Sequence, residues 1–343
     1  MRYKTFFTIG LAALLWTGVA HAQTFTSGPD PVQYTVVPTT PGPNEHVDLS
    51  LQGIGSFLGD ATITWKENGK VVNSGVGLTN HSFTTGGVGT ITRVNVTIVS
   101  ATNGTLSHDF TFTPSVVYLT WEADTSVPNF YKGKSLYTSG SQIKVVAVPF
   151  VVSGHGLVPA SQLSFQWRRN DDLVPEQSGM GKNVFVFNGN QLLGAEQVAV
   201  NVFLGTTEVN HTEISIPASN PMVLLYDRDP LRGELLERAL PSSASFGANE
   251  ITLQAEPYYF AHSSVVAGAL QYTWTLNGQE TTGPDSAKGV LTLRQTGQGT
   301  GSATVGINVQ NTNDMDFFQT ADESIQMTFG QTTRNIISTF LGI

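Results

Sequence analysis

Short stretches in which apolar and polar residues alternate recur along most of the chain, and they come in sets. Glu45-His-Val47-Asp-Leu49-Ser-Leu51, Gln142-Ile143-Lys-Val145-Val-Ala147 and Glu250-Ile251-Thr-Leu253-Gln-Ala255 each alternate with a period of two, the signature of a strand with one buried face. Later in each set come 90–98, 198–202 and 303–309, then 109–112, 213–216 and 324–329, all with the same period. Between them lie Gly, Pro and Asn turns, a pattern that predicts an all-β sandwich.

The sets are copies of one another. Ala61-Thr-Ile63-Thr-Trp65, Leu163-Ser-Phe165-Gln-Trp167 and Leu270-Gln-Tyr272-Thr-Trp274 each run into a polar turn, at Asn68-Gly69, Asn170-Asp171 and Asn277-Gly278. Their tryptophans stand 102 and 107 residues apart, about one domain length. Alternation puts Ile63 with Trp65, Phe165 with Trp167 and Tyr272 with Trp274 on one strand face, so the three tryptophans are expected as core anchors. The Asn-led turns supply residues that tolerate positive φ, as a tight hairpin requires.

Sets two and three also match upstream: Val116-Val-Tyr-Leu-Thr-Trp121, with Pro128, Gly133 and Leu136, aligns with Met222-Val-Leu-Leu-Tyr226, with Pro230, Gly233 and Leu236. The expected division is 1–22 leader, 23–114, 115–217 and 218–330 as three tandem domains, and 331–343 as an apolar tail. Linkers this short favour a stiff rod over freely tumbling beads.

The Tyr-x-Trp-x-x-Asn-Gly pattern at this spacing resembles the immunoglobulin-like and PKD-like repeats of bacterial extracellular and surface proteins. The PKD pattern continues Trp-Asp-Phe-Gly-Asp-Gly, whereas here Lys66-Glu67, Arg168-Arg169 and Thr275-Leu276 follow the tryptophans. What the resemblance implies is a fold of three tandem Ig-like sandwiches, and no particular activity.

Composition narrows the roles. The 343 residues include no cysteine, so neither disulfides nor thiol chemistry are available. Residues 1–22 carry Arg2 and Lys4, an apolar stretch from Phe6 to Val19 and Ala20-His21-Ala22, the layout of a cleavable signal peptide ending before Gln23. Losing it would take the net charge from −9 to −11, and such a chain has no electrostatic grip on nucleic acid. Nothing after Ala22 is long enough to span a bilayer. An exported protein is expected, extracellular, cell-surface or periplasmic, held if at all by protein partners at the envelope.

No Gly-x-Ser-x-Gly is present, and His46, His81, His108, His155, His211 and His262 are scattered without a metal-ligand spacing, so no catalytic, cofactor or metal residue is assigned. Asp227-Arg-Asp229 and Asn313-Asp314-Met-Asp316 are the close acidic clusters, and neither fits a calcium loop. Asp229-Pro230 instead reads as the start of a short helix over 231–240, with an irregular loop as the alternative. Arg168-Arg169 beside Asp171-Asp172 reads as a neutralised turn.

Tyr258-Tyr259-Phe260 and Trp121 with Tyr131 and Tyr137 are candidate sugar platforms, provided they are exposed. In a regular strand at least one of 258–260 faces away from the core. Asn335–Ile343, with five large apolar residues in nine, is expected as a docking element, packed back or offered to a partner. The expected function is a non-enzymatic structural, adhesive or assembly component of the cell envelope or a surface appendage. The alternative is a carbohydrate-binding or accessory module of an extracellular degradative system.

Overall fold

Alternation along the chain becomes pairing between strands. The computed structural model describes residues 32–329 except 54–56, 102–103, 155, 193, 247–249, 298–299 and 314–318. The expected leader and the 335–343 docking segment lie outside the described residues. The contacts divide the chain into two compact units, meeting between Ser115 and Val116. The described residues are nearly all β.

In the first unit β1 (Val32–Val37), β2 (His46–Gly53) and β5 (Asn80–Thr84) form one antiparallel sheet in the order β1-β2-β5. Strands β3 (Thr62–Glu67), β4 (Lys70–Val76), β6 (Thr92–Ser100) and β7 (Gly104–Phe112) form the other, ordered β4-β3-β6-β7. Alternate residues of both sheets make one core of Tyr34, Val47, Leu49, Ile63, Trp65, Phe83, Val94, Val96 and Ile98, among others. This is a two-sheet sandwich built by period-two patterning.

The second unit holds two such cores. Around the first run β8 (Val116–Ala123), β9 (Gln142–Phe150), the short pair β10 (Val152–Ser153) and β11 (Gly156–Leu157), β12 (Ser164–Arg169), β13 (Asp172–Leu173), β14 (Gly179–Met180), β15 (Val184–Asn188), β16 (Glu196–Leu204) and β17 (Thr207–Ile216). Sheet β15-β9-β8 faces sheet β13-β12-β16-β17, with β14 added on β12, across Ile143, Val145, Phe165, Trp167, Phe185, Val198 and Val200.

Around the second core run β18 (Met222–Asp229), β19 (Gly233–Glu234), β20 (Ser243–Phe246), β21 (Glu250–Tyr258), β22 (Leu270–Leu276), β23 (Gln279–Thr281), β24 (Val290–Arg294), β25 (Gly301–Asn311) and β26 (Thr320–Phe329). They form sheets β19-β18-β21-β24 and β20-β26-β25-β22-β23, in which only the β20–β26 pair is parallel. Val223, Leu253, Phe260, Trp274, Val305 and Met327 fill the space between.

The three tryptophans sit where the alternation predicts, at 0%, 0% and 1% exposure. Burying an indole requires a partner for its N–H, and each donates to a main-chain carbonyl on the segment packed beneath it. Trp65 reaches Leu78 at 2.9 Å, Trp167 reaches Lys182 at 2.8 Å and Trp274 reaches Ser286 at 3.2 Å.

The hairpin three residues on is equally repetitive. Asn68, Asn170 and Asn277 have φ of 46°, 48° and 52°, each followed by a second residue of positive φ. In each, the asparagine main-chain N–H donates to residue 93, 197 or 304 of the neighbouring strand, and its Oδ1 accepts that residue's N–H at 2.9 to 3.0 Å. The positive φ was legible in the sequence; the clamp onto the next strand was not.

Asn277→Ala is therefore expected to cost about 1–3 kcal/mol, from strain in the left-handed region plus a lost hydrogen bond. Asn277→Gly, which keeps the backbone relaxed, should recover part of that loss. Thermal melts of both variants check the ranking; equal midpoints would remove the clamp.

Two expectations are corrected here. The segment after Asp229 is not a helix. The Asp229 Oδ1 accepts the N–H groups of Leu231 and Arg232 at 2.8 and 2.9 Å, as a helix cap would, but Gly233 then takes φ 81° and the chain folds back so that Glu234 pairs with Arg228. Arg169 is not neutralised by its sequence neighbours: it bridges to Glu196, 27 residues away, while Arg168 Nη1 donates to the Asp171 main-chain oxygen.

Candidate functional site

The polar chemistry of the second unit concentrates where its two cores meet. Main-chain bonds stitch 124–126 to 259–262: Ser126 N–H to Phe260 O and Tyr259 N–H to Ser126 O, both 2.7 Å, and His262 N–H to Asp124 O at 3.1 Å. Beside them lies Gln319, fully buried. Its Nε2 donates to Thr138 Oγ1 at 3.0 Å and Ser139 O at 2.9 Å. Its Oε1 accepts Ala261 N–H at 2.8 Å and Asn311 Nδ2 at 3.0 Å. All four hydrogen-bonding positions of the amide are thus used, as burial demands. The Thr138 hydroxyl in turn donates to Tyr259 O at 2.7 Å.

Tyrosines close the seam. Tyr131 and Tyr259 share a hydroxyl bond of 2.8 Å, and Tyr226 and Tyr258 one of 2.9 Å. Burial pushes the Tyr259 phenol up to about 12, helped by the bond to Tyr131. The rings of Phe130 and Tyr226, and of Tyr131 and Tyr258, meet edge to face at 5.6 Å.

Gln319→Ala leaves buried donors without an acceptor and is expected to cost about 1–3 kcal/mol. It should also split the melting of the second unit into two steps, seen by calorimetry. An unchanged melt would deny the amide its role.

This seam answers the question posed by Tyr258-Tyr259-Phe260. The expected exposed ring does not exist: all three are buried, at 4%, 6% and 0%. The premise of a regular strand fails, because Tyr259 has φ 63° and the alternation breaks just after β21. Tyr137 is also buried, its hydroxyl donating to Asn190 O at 3.2 Å and Glu196 Oε1 at 3.4 Å, and its phenol is pushed up to about 12, chiefly by burial. Trp121 is half-buried with the Lys134 ammonium 3.3 Å from its ring centroid. Burial lowers the Lys134 pKa, and the nearby Glu122 opposes that shift.

The histidines do not converge. His81 Nε2 lies 3.0 Å from Glu67 Oε1 and its ring stacks on Trp65; His108 stacks on Tyr34 at 4.2 Å; His262 Nδ1 bonds Ser126 Oγ at 3.1 Å. His46 and His211 are exposed on separate strands, and His155 lies outside the described residues. Among the described residues no three His, Asp or Glu side chains gather as a metal set. Of the acidic clusters, Asp314 and Asp316 lie outside the described residues. Asp229 is spent on its turn, and the Asp227 carboxyl is raised by burial and then by Asp229.

The strongest buried charge, Glu196 at 1% exposure, is saturated. Arg169 grips it with two bonds of 2.8 and 2.9 Å, and Asn190 N–H and Asn170 Nδ2 add 2.7 and 3.2 Å. The guanidinium also lies 4.5 Å over the Phe187 ring. Sequence reasoning missed this centre because nothing in the local pattern around Glu196 marks it.

Among the described residues, exposed rings stand together on one outward face. On sheet β15-β9-β8, Tyr118 is 63% exposed and Phe150 41%, with ring centroids 5.8 Å apart edge to face. By contrast, the outer face of β22, β25 and β26 carries a shallow cavity of about 420 Å³ lined by Thr273, Thr275, Gly306, Asn308, Asp322 and Ser324, with no ring.

No protein-family model matches this chain, and no curated protein matches it in sequence. Solved structures do. The central fibronectin-III array of RIM-binding protein is 11% identical, covering 88% of this chain and 98% of that one, with a TM-score of 0.29. Sidekick-1 immunoglobulin domains 1–4 are 14% identical over 85% of this chain and 73% of that one, with a TM-score of 0.19. SGBP-B of the Bacteroides ovatus mixed-linkage glucan utilization locus, solved in complex with a mixed-linkage heptasaccharide, is 11% identical over 88% of this chain and 72% of that one, with a TM-score of 0.21. By its own strand pairing and cores, this chain is an array of two-sheet β-sandwiches.

Proposed function

We propose that this chain is a non-enzymatic exported or cell-surface protein of stacked Ig-like domains, 23–114, 115–217 and 218–330, serving as a structural, adhesive or assembly component of the envelope or of an appendage. One observation carries the reading: among the described residues, the buried polar groups at the seam, around Glu196 and in the hairpins are spent on architecture. Gln319 uses all its bonds at the seam, Glu196 all its capacity on Arg169 and its neighbours, and the three asparagines theirs on hairpins. Among the described residues no helix is long and apolar enough to cross a membrane. The test is fractionation of cells expressing the tagged full chain, with N-terminal sequencing. A mature terminus at Gln23 in envelope or medium is expected. Retention of residues 1–22 in the cytosol would overturn the export half of the reading.

A second reading, the carbohydrate-binding accessory module, is favoured by a single observation, the exposed Tyr118 and Phe150 rings.

A further inference from the structure

We infer that the outer face of sheet β15-β9-β8 is a binding platform for a neutral glycan chain, centred on Tyr118; this deepens the second reading and rests on it.

Outward positions of an antiparallel sheet in water are normally polar. Here Tyr118, Val148, Phe150 and Val184 are exposed at 63%, 39%, 41% and 41%, and Val116 and Val146, also outward, are half-buried. The register makes them one patch: Tyr118 lies opposite Val148, Val116 opposite Phe150, and Val146 opposite Val184. An apolar patch approaching a few hundred Å² and rimmed by polar residues is often a contact site.

Its size selects the occupant. With strands about 4.8 Å apart and about 3.3 Å per residue, three strands over five residues cover roughly 250 Å². A stable protein partner needs about 800 Å² on each side, so the patch is too small to hold one. A short run of pyranose rings fits, and their C–H faces pack on the electron-rich face of an aromatic ring. Tyr118, at the larger exposure of the two rings, keeps most of its side chain in solvent.

Charge selects further. At the rim Lys144 is paired with Glu122, and Thr120 lies between Tyr118 and Glu122 on the outward row of β8. The rim thus offers hydrogen-bonding groups for sugar hydroxyls but no net charge for a polyanion. Strand addition on β8 is disfavoured because β17 packs alongside it.

The experiment is affinity gel electrophoresis of the full chain in soluble mixed-linkage β-glucan, xylan and galactomannan, with sedimentation on cellulose and chitin. At least one of these should retard or retain the wild type. Tyr118→Ala should weaken that binding tenfold or more with an unchanged melting temperature, since the side chain is mostly exposed, and Tyr118→Trp should preserve it. Binding equal in wild type and Tyr118→Ala overturns the site but leaves the second reading standing. No binding to any of the five overturns both. A concentration-dependent dimer in analytical ultracentrifugation that Tyr118→Ala abolishes also overturns the proposal, because the patch would then belong to a protein contact.

Discussion

Trp167→Ala is expected to destabilise the first core of the second unit by about 3–5 kcal/mol, the range for removing a large aromatic from a packed interior. The indole is fully buried and stacks on Phe185 at 5.4 Å, so truncation opens a cavity lined by that ring, Val200 and their neighbours. It also strips the Lys182 carbonyl of its donor. Against a typical domain stability of about 5–15 kcal/mol, such a loss leaves the core near its threshold. Urea denaturation followed by far-UV circular dichroism gives the measurement. A shift of less than about 1 kcal/mol would show that Trp167 is not an anchor.

Glu196→Ala is expected to cost a similar amount, about 3–5 kcal/mol, for a different reason. Removing one partner of a buried ion pair leaves the other charge uncompensated: Arg169 loses both bonds, and Asn190 N–H and Asn170 Nδ2 lose an acceptor. The same centre gives the protein an acid limit. Burial pushes the Glu196 carboxyl up, but the bonds from Arg169 and Asn190 outweigh it and the net shift is downward. A carboxylate whose folded pKa is depressed contributes stability above its unfolded value, about 4.3, and loses it as pH falls through the folded pKa. The wild type should therefore lose more stability between pH 5 and about 3 than Glu196→Gln does. Parallel slopes for the two proteins would remove Glu196 from the acid response.

Local pattern revealed the strands, the tryptophan anchors and the asparagine turns because each depends on residues within a few positions of one another. Trp65, for example, is defined by Ile63 before it and Asn68 after it, and all three behave as their spacing implies. What the pattern hid depends on distance. Gln319 meets Thr138 across 181 positions, and Arg169 passes over adjacent aspartates for Glu196 because the outward turn leaves Asp171 and Asp172 in water. The helix expected after Asp229 failed at Gly233, whose positive φ reverses the chain. The tyrosines at 258 and 259 were misread because one left-handed residue cancels the period-two rule on which their exposure was argued. The exposure of Tyr118 was not legible because a single aromatic on a strand signals burial and exposure equally well.

The hairpin asparagines bear on chemical ageing. Asparagine followed by glycine, as at Asn68-Gly69 and Asn277-Gly278, is prone to deamidate, because the glycine nitrogen can attack the side-chain carbonyl carbon and close a succinimide ring. Here the side-chain oxygens are held by the N–H groups of Arg93 and Thr304 at 2.9 Å, and the main chain is pinned on both sides of the turn. Ring closure must first break that clamp, so deamidation at these two sites is tied to local opening of the sheet. The bond that sets the hairpin thereby also sets how long the amide survives.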